Sequence, residues 1–483
     1  MFFSFHILFL TTLLIVVTGL LLWSLIKGIR GGWLATILFG GCCIGLLFHQ
    51  AYWQVRGGGN VALTQFKRNH DSRPPIREDL RGKRGRLLDR NGHLLAGPAA
   101  EGKWGHLAPL GPSAFHVIGY DIKGRGTTGL ERVFASKMWG VLPPSGLSDF
   151  LQTPTPSDVS LTLDCRLQRL AYDLLDGRRG AVVVLNPRTG EVLALVSSPA
   201  PEESNLLVAE RDRKNTPMFN RATQGLYPPG SVFKIFSAAL ALEKGKGGRY
   251  VCPSKGWAPG AYTRPIRDTH PQQDGVPIPI EKAFAESSNI WFAKSTLACG
   301  WKAVDDAVAR SGFREGITLA SSGSYSLGTR AGVVPELYAA PNRIAYLGFG
   351  QGDLLLTPVH IAAMTATIAN DGLYAPLQLE YGKKSALKRV WSRPVAKRVQ
   401  DLMKHSVLKG TSRGISLSEV SVCGKTGTAE NSGRDHAWFT CFAPADAPEI
   451  VITVLVENGG YGATAALPIA KELLQNWAIN RKR

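Results

Sequence analysis

Apolar residues dominate the N-terminal part of the chain. Residues 5–26 contain no charged side chain and are long enough to cross the roughly 30 Å hydrocarbon core of a membrane. A second apolar stretch begins at Trp33, but its shorter length leaves open whether it spans. The pattern predicts a transmembrane anchor over residues 1–55, built as a hairpin of helices at 5–26 and 33–53. A cleaved signal peptide is not expected, because no basic residue precedes the first apolar run.

Helical and strand patterns follow one another further along the chain. Helical spacing covers Cys165–Leu175 and Ala465–Ile479, at the two ends of a long region whose middle is mostly helical. Strand patterns flank a turn at Pro187–Gly190, and a second strand pair is predicted within 420–430 and 437–442. Strands at both ends with helices between them predict an α+β fold, in which one antiparallel sheet is covered by helices.

The charge balance is strongly basic, with a formal net charge of +19 from 56 basic and 37 acidic side chains. Residues 56–90 hold ten basic against four acidic side chains, directly after the predicted anchor. Anionic lipid headgroups attract such a segment, so the charge fits a protein at the cytoplasmic membrane. No basic motif with interleaved aromatic residues is present, and we expect no nucleic-acid partner.

The chain has seven cysteines, and their spacing matches no metal site. We expect no metal ion and no cofactor. Cys423 and Cys441 lie in the two neighbouring predicted strands, so a disulfide between them depends on the register of the hairpin and stays open here.

The first chemically informative string is Ser231-Val-Phe-Lys234. It follows the loop residues Tyr227-Pro-Pro-Gly230 and precedes a run of good helix formers, which places Ser231 at a helix N-terminus. Residues three apart share a helix face, so the Ser231 hydroxyl and the Lys234 amine can meet. The helix dipole and apolar surroundings disfavour a protonated Lys234, and a neutral amine can serve as base for a serine nucleophile.

The same spacing recurs at Ser385-Ala-Leu-Lys388. This second copy lies beside Lys383, Lys384 and Arg389, and no apolar helix follows it. A row of like charges is typical of a solvated surface, so we expect no chemistry there.

A second polar string, Ser287-Ser-Asn289, interrupts an apolar helical run. Serine and asparagine compete with the helix for backbone hydrogen bonds, so the string predicts a loop between two helical pieces. Ser287 and Asn289 would then point the same way. Taken alone, the string is more readily explained as a helix N-cap.

The third string, Lys425-Thr-Gly427, lies in an alternating strand pattern. A lysine, the hydroxyls of Thr426 and Thr428, and a glycine on one strand make an anion-binding edge. A substrate backbone can approach that edge, because Gly427 has no side chain in the way. The competing explanation is an edge strand protected by a lysine.

In this order, the three strings resemble the Ser-x-x-Lys, Ser-x-Asn and Lys-Thr-Gly motifs of penicillin-binding proteins. Further segments extend the resemblance to the class B penicillin-binding proteins, which are monofunctional peptidoglycan D,D-transpeptidases. These segments are Arg84–Ala96, Gly126–Glu131, Asp158–Asp164, Gly180–Pro199, Gly348–Gly352 and Ala369–Gly372.

The resemblance implies a transpeptidase domain of the penicillin-binding-protein and serine β-lactamase type over residues 156–483. In that fold an antiparallel sheet is covered by helices, and the active site lies between the sheet edge and an all-α lobe. The resemblance also implies an N-terminal pedestal domain over residues 56–155.

The family's roles for the first two motifs carry over to residues of this chain. Ser231 would attack the carbonyl of the penultimate D-Ala in a stem peptide, and Lys234 would accept its proton. Ser287 would relay protons to the leaving D-Ala, and Asn289 would hold the peptide amide and Lys234.

The third motif would bind the substrate. Lys425 would raise the positive potential, Thr426 and Thr428 would bind the terminal carboxylate, and Gly427 would leave room for the substrate. The backbone amides of Ser231 and Thr428 would form the oxyanion hole. An amine from a neighbouring stem peptide would resolve the acyl-enzyme, and a β-lactam would stall in the same site.

Two alternatives stay open. The first is hydrolysis, as in a D,D-carboxypeptidase or a β-lactamase, which is disfavoured because no Glu-x-x-Leu-Asn segment follows the second motif. The second is a membrane β-lactam sensor, which is disfavoured because no signalling or protease segment is present.

Peptidoglycan is cross-linked outside the cytoplasmic membrane, so we expect the catalytic domain there and Lys27 and Arg30 in a cytoplasmic turn. Four basic residues that follow the second apolar stretch count against this topology under the positive-inside rule, namely Arg56, Lys67, Arg68 and Arg73. We give more weight to the extracytoplasmic location of peptidoglycan than to this charge count, and expect the exported topology. The resemblance also implies a SEDS-family glycosyltransferase as partner.

Overall fold

The computed structural model describes residues 84–98, 106–122, 125–140, 155–260, 263–338 and 340–481, together with three helical glycines, Gly40, Gly41 and Gly45. The predicted spans 5–26 and 33–53 otherwise lie outside these residues. Within the described ranges, no helix is both long and apolar enough to cross a membrane. The chain divides into two compact units, residues 1–72 and 73–483, and the described residues other than the three glycines belong to the second.

In chain order the strands are β1 (Leu87–Leu88), β2 (Leu94–Pro98), β3 (His106–Leu107), β4 (Asp121–Ile122), β5 (Gly126–Thr127), β6 (Val159–Ser160), β7 (Gly180–Leu185), β8 (Val192–Ser198), β9 (Tyr250–Val251), β10 (Pro277–Ile278), β11 (Thr318–Ser322), β12 (Tyr325–Gly328), β13 (Leu373–Tyr374), β14 (Lys388–Arg389), β15 (Cys423–Ala429), β16 (His436–Ala443) and β17 (Ile450–Val456).

The α-helices are α1 (Phe115–Ile118), α2 (Gly129–Val133), α3 (Ala135–Trp139), α4 (Cys165–Leu175), α5 (Leu206–Arg211), α6 (Lys234–Glu243), α7 (Ile280–Ala285), α8 (Asn289–Cys299), α9 (Trp301–Arg310), α10 (Pro341–Gly348), α11 (Pro358–Ala369), α12 (Arg393–Lys409), α13 (Gly462–Ala465) and α14 (Leu467–Arg481). Short 3-10 turns occur at Gly111–Ala114, Glu203–Asn205, Gly230–Phe233 and Arg413–Ile415.

A five-stranded sheet with the order β15-β16-β17-β7-β8 carries the site, and all its neighbouring strands are antiparallel. Successive side chains along β7 point to opposite faces. Val183 belongs to the apolar cluster that includes α11, whereas Val182 belongs to the cluster that includes α4 and α14. Because helices cover both faces, the inner strands are almost continuous apolar runs. The strand order leaves β15 at one edge.

Helices α6–α10 and α12 pack on one another as a lobe beside that edge. Every residue from Lys234 to Ala241 of α6 is buried, which is typical of a helix at the centre of a lobe. Helices α8, α9 and α12 pack against α6, and α12 also contacts β15. The predicted α+β arrangement is confirmed. Its all-α lobe borders the sheet edge that holds the third motif.

The patterned segments fold largely where the sequence places them. Helix α4 and the hairpins β7–β8 and β15–β16 match the predicted elements. The C-terminal helix differs, because α13 ends at Ala465 and α14 begins at Leu467. Pro468 lacks the N–H that a continuous helix needs, and it is tolerated only in the first turn of a new helix.

The disulfide between Cys423 and Cys441 does not form, and both thiols are free. In the hairpin Cys423 lies opposite Phe442, and Cys441 lies opposite Gly424. This offset of one residue sends the two side chains to opposite faces of the sheet. The Cys423 thiol instead contacts the Gln400 carbonyl oxygen at 3.4 Å.

Candidate active site

Ser231 lies in the 3-10 turn Gly230–Phe233, which leads directly into α6. Gly230 has a φ of 58°, a conformation that glycine adopts without steric cost. Its N–H donates to the Gly350 carbonyl at 2.8 Å. The predicted helix start at Ser231 is confirmed, and the turn leaves this residue partly exposed.

The turn is in direct contact with the sheet edge. A Cβ on Gly230 would lie 2.5 Å from the carbonyl oxygen of Thr428 on β15. A Cβ on Gly350 would lie 1.9 Å from the Gly230 carbonyl oxygen. These two glycines therefore let three backbone segments approach closely enough to place the Ser231 amide beside β15.

Lys234 is completely buried. Its Nζ donates to the Ser287 carbonyl at 2.6 Å and to Asn289 Oδ1 at 2.7 Å, and it lies 3.1 Å from Ser287 Oγ. Burial, with the charge of Lys425 adding to it, holds the pKa of Lys234 well below the usual value for lysine. A neutral amine has two N–H groups, which these two acceptors occupy, so its lone pair is left to accept a hydroxyl proton.

Ser287 and Asn289 flank the break between α7 and α8, as the sequence predicts. The N-cap of α8 is the serine between them, Ser288, whose Oγ accepts from the Trp291 N–H at 3.1 Å. Ser287 has a φ of 62°, which is uncommon for a residue with a side chain. The helix-cap explanation thus applies to Ser288 alone, and it frees both neighbours to face Lys234.

Asp268 holds this loop, and the sequence analysis did not identify it. Its carboxylate accepts from the Ser288 hydroxyl at 2.7 Å and from the Ile290 N–H at 2.9 Å. The neighbouring Arg267 carbonyl accepts from Asn289 Nδ2 at 2.9 Å. The segment ending at Asp268 therefore fixes which way Asn289 points.

Lys425 is also completely buried, beside the Phe284 ring. Its Nζ donates to Ser287 Oγ at 3.0 Å. Burial lowers the pKa of Lys425 to about 7. The Ser287 hydroxyl consequently lies between two buried amines, and repulsion in this low-dielectric site disfavours charging both at once.

The structure does not join Ser231 to Lys234 as the sequence analysis anticipated. Among the described residues, no hydrogen bond links the Ser231 hydroxyl to the Lys234 amine, because Ser287 and Asn289 hold that amine. Catalytic hydrogen bonds are often long in unliganded sites and shorten when substrate binds. Both residues nevertheless lie three positions apart, Ser231 in the 3-10 turn and Lys234 at the first position of α6.

The threonines of the third motif have different surroundings. The Thr426 hydroxyl shares a 2.7 Å hydrogen bond with Thr411, another residue that the sequence analysis missed. The Thr411 N–H donates to the Ala285 carbonyl at 3.1 Å, so this contact ties β15 to the end of α7. Thr428 is partly exposed and lies next to the C-terminal end of β15.

Gly427 has a role in packing. A Cβ at this position would lie 2.9 Å from Trp438 Cβ and 3.0 Å from Val232 Cγ1. The missing side chain thus permits the turn that holds Ser231 to pack on β15, a different reason from the substrate access inferred from the sequence.

The second Ser-x-x-Lys copy is a surface segment. Lys388 is exposed on β14, and the residues from Ser385 to Leu387 form no helix. The solvated surface segment predicted at Ser385–Lys388 is confirmed.

The Gly230 contact gives a testable prediction. Gly230→Ala should reduce the second-order rate of penicillin acylation by about a hundredfold, because displacing a catalytic group by about 1 Å has effects of that size. Gly245→Ala is the matched control, since Gly245 has a φ of 67° but nothing within 4 Å of an added Cβ. Both variants should lose about 1–2 kcal/mol of stability from the left-handed backbone. Equal acylation rates in the two folded variants would contradict the contact's role.

Comparison with known proteins agrees with the three sequence motifs, because the matches are to penicillin-binding transpeptidases. The family model for the penicillin-binding protein transpeptidase domain matches residues 180–475. The peptidoglycan D,D-transpeptidase MrdA of Acinetobacter baumannii is 32% identical over 419 residues, which cover 74% of this chain and 59% of MrdA. The peptidoglycan D,D-transpeptidase PbpA of Mycolicibacterium smegmatis is 31% identical over 439 residues, which cover 79% of this chain and 86% of PbpA.

Solved structures agree with these matches. The ceftriaxone acyl-enzyme of penicillin-binding protein A from M. tuberculosis superposes with a TM-score of 0.74 at 26% identity, covering 83% of this chain and 99% of that one. PBP2 of Pseudomonas aeruginosa, in complex with WCK 5153, superposes with a TM-score of 0.69 at 30% identity, covering 82% of this chain and 96% of that one. The transpeptidase fold predicted from the sequence is confirmed, and the chain belongs to the penicillin-binding protein transpeptidase family.

Proposed function

We propose that this chain is a peptidoglycan D,D-transpeptidase that cross-links stem peptides through an acyl-enzyme on Ser231. The observation that carries the proposal is the convergence of the three motifs on one hydroxyl. Ser287 Oγ lies 3.1 Å from Lys234 Nζ and 3.0 Å from Lys425 Nζ, beside the turn that presents Ser231. A serine, a neutral amine and a second proton-carrying group within one cleft suit acyl transfer.

In the proposed reaction, Ser231 Oγ attacks the penultimate D-Ala carbonyl and its proton passes to the lone pair of Lys234. The amides of Ser231 and Thr428 stabilise the oxyanion, which is usually the largest contribution in acyl transfer. The Gly230 contact with Thr428 supports this, because it brings the two backbone segments together. The nitrogen of the leaving D-Ala then takes a proton through Ser287.

Substrate would be held by the third motif and by Asn289. The terminal carboxylate would bind the hydroxyls of Thr426 and Thr428 beside the Lys425 amine. Asn289 would bind the peptide amide while its Oδ1 keeps Lys234 in place. An amine of a second stem peptide would then attack the acyl-enzyme, and a β-lactam would form an adduct that this amine cannot resolve.

The experiment separates transfer from its alternatives. Purified protein is given a synthetic D-Ala-D-Ala stem peptide with and without an amine acceptor, and the products are resolved by mass spectrometry. A transpeptidase gives an acceptor-dependent cross-linked product. Hydrolysed peptide alone would indicate a carboxypeptidase, and a stable penicillin adduct without peptide turnover would indicate a sensor.

The same proposal includes the parts of the chain around the catalytic domain. Residues 1–55 would anchor the protein in the cytoplasmic membrane, residues 56–155 would form the pedestal, and the catalytic domain would be extracytoplasmic. The uncharged run 5–26 supports the anchor. A reporter active only outside the cytoplasm, fused after Arg483, should be active; an inactive fusion would exclude this topology.

A SEDS-family glycosyltransferase is the proposed membrane partner. Support comes from the family resemblance, because class B enzymes need a separate source of glycan strands. Affinity purification of the full chain from membranes should recover such a polytopic protein. Failure to recover it under conditions that preserve a known SEDS complex would contradict the pairing.

The two buried lysines predict a pH dependence. Lys234 must be neutral to accept a proton, so the acylation rate rises with pH through its lowered pKa. Lys425 must be charged to attract a carboxylate, so the rate falls above about pH 7, where Lys425 loses its proton. Second-order acylation of the free enzyme should therefore follow a bell-shaped profile. In Lys425→Arg the decrease of the acylation rate at alkaline pH should disappear, because guanidinium stays charged. If the decrease persists in this variant, a group other than Lys425 causes it.

A further inference from the structure

Three potential metal ligands meet away from the catalytic cleft, at the turn after β1 and the first residue of α4. His93 Nδ1 lies 3.2 Å from Asp89 Oδ2 and 3.8 Å from Cys165 Sγ. One donor atom from each of the three side chains lies within 4.8 Å of the other two. The cluster combines a carboxylate, an imidazole and a thiol from segments that are distant in sequence.

The fold holds the carboxylate rigidly. Asp89 is buried, and its Oδ1 accepts from the N–H groups of Asn91 and His93, both at 2.8 Å. Its Oδ2 accepts from the Cys165 N–H at 3.2 Å. These three backbone donors fix the carboxylate with its Oδ2 turned toward the imidazole and the thiol.

The arrangement does not suit a cysteine nucleophile. In such a triad the imidazole uses one nitrogen for the thiol and the other for the carboxylate. Here both contacts involve His93 Nδ1. One ring nitrogen cannot take the thiol proton while it is bound to the carboxylate, so the cluster lacks the geometry of a triad.

We propose that Asp89, His93 and Cys165 bind one Zn²⁺ ion. Zinc takes sulfur, nitrogen and oxygen ligands at about 2.0–2.3 Å in a tetrahedron, which places neighbouring ligand atoms about 3.3–3.6 Å apart. The observed separations of 3.2 and 3.8 Å need only small side-chain rotations to match. Mg²⁺ and Ca²⁺ prefer oxygen ligands, so the mixed donor set favours zinc.

The ion would replace the proton on the thiol and link the β1–β2 turn to α4. His93 is 60% exposed, which gives the ion and a water as fourth ligand a route to the site. Cysteine spacing alone predicted no metal, because two of the ligands lie in the Asp89–His93 turn and the third, Cys165, follows 72 residues after His93. The proposal revises that expectation and is independent of the proposed catalytic function.

The test uses the full chain, freed of metal and titrated with Zn²⁺ against a chromophoric chelator. Wild type should bind one ion, and Cys165→Ser and His93→Ala should each weaken binding at least about tenfold. Cys299→Ser is the matched control, because Cys299 is a partly exposed free thiol on α8, outside the cluster. Circular dichroism of each variant verifies that it is folded.

Cobalt identifies the ligand directly. Co²⁺ bound to wild type and to Cys299→Ser should show a thiolate-to-metal charge-transfer band, and Cys165→Ser should lack it. Zinc affinity in wild type equal to that of Cys165→Ser would overturn the proposal. A cobalt–thiolate band that survives in Cys165→Ser would do the same, because the metal would then occupy another cysteine.

Discussion

Ser231→Ala is expected to abolish covalent labelling by fluorescent penicillin. In the proposed mechanism the acyl-enzyme ester forms on the Ser231 oxygen. Among the described residues, Ser231 is the serine of the turn that leads into α6 and Lys234. The variant should stay folded, because Ser231 is partly exposed and its hydroxyl has no hydrogen-bond partner among the described residues. Surface substitutions of this kind usually change stability by less than about 0.5 kcal/mol.

Ser385→Ala is the control for this result, because it removes the other serine with the same spacing and should label like wild type. Labelled protein is resolved by gel fluorescence, and the adduct is located by peptide mass spectrometry. Labelling of Ser231→Ala at any site, Ser385 included, would show that the nucleophile has been assigned wrongly.

The elements that the sequence predicts are those whose signals are local. Helix α6 follows a proline-glycine turn and is rich in helix formers, and the β15–β16 hairpin alternates along its length. Each of the three motifs lies within one such element or at its end. Local pattern therefore located Ser231, Lys234 and Lys425 on the correct elements.

The supporting residues depend on contacts between distant segments. Asp268 precedes Ser288 by 20 residues, and Thr411 precedes Thr426 by 15, with no pattern to connect them. Gly350 and Gly230 are also far apart in sequence and are neighbours only in the folded structure. A single sequence carries no signal for such pairs.

Register is the other property that local pattern leaves undetermined. Shifting a strand pair by one residue turns each side chain to the opposite face. The strand pattern leaves the pairing of Cys423 and Cys441 open, and the actual offset places their side chains on opposite faces of the sheet. Recognition of the Lys425-Thr-Gly427 motif in the same strand does not depend on the register, because its neighbours in sequence identify the lysine.

Lys234→Arg should reduce penicillin acylation by about a hundredfold to ten-thousandfold, the usual contribution of a general base. Arginine can still donate to the Ser287 carbonyl and to Asn289 Oδ1, which lie 2.6 and 2.7 Å from the lysine nitrogen. It cannot accept the Ser231 proton, because guanidinium stays protonated in proteins. The measurement is the second-order rate of acylation below pH 7, with circular dichroism to verify folding.

Lys425→Arg is the matched control for the larger side chain. Both lysines are fully buried and both contact Ser287 Oγ, so overpacking should affect the two variants alike. Lys425 is required to carry charge, which arginine retains, and its variant should acylate within about tenfold of wild type. Lys234 is required to lose its proton, which arginine does not. A folded Lys234→Arg variant within about threefold of wild type would leave Ser231 without its proposed base, whatever Lys425→Arg does.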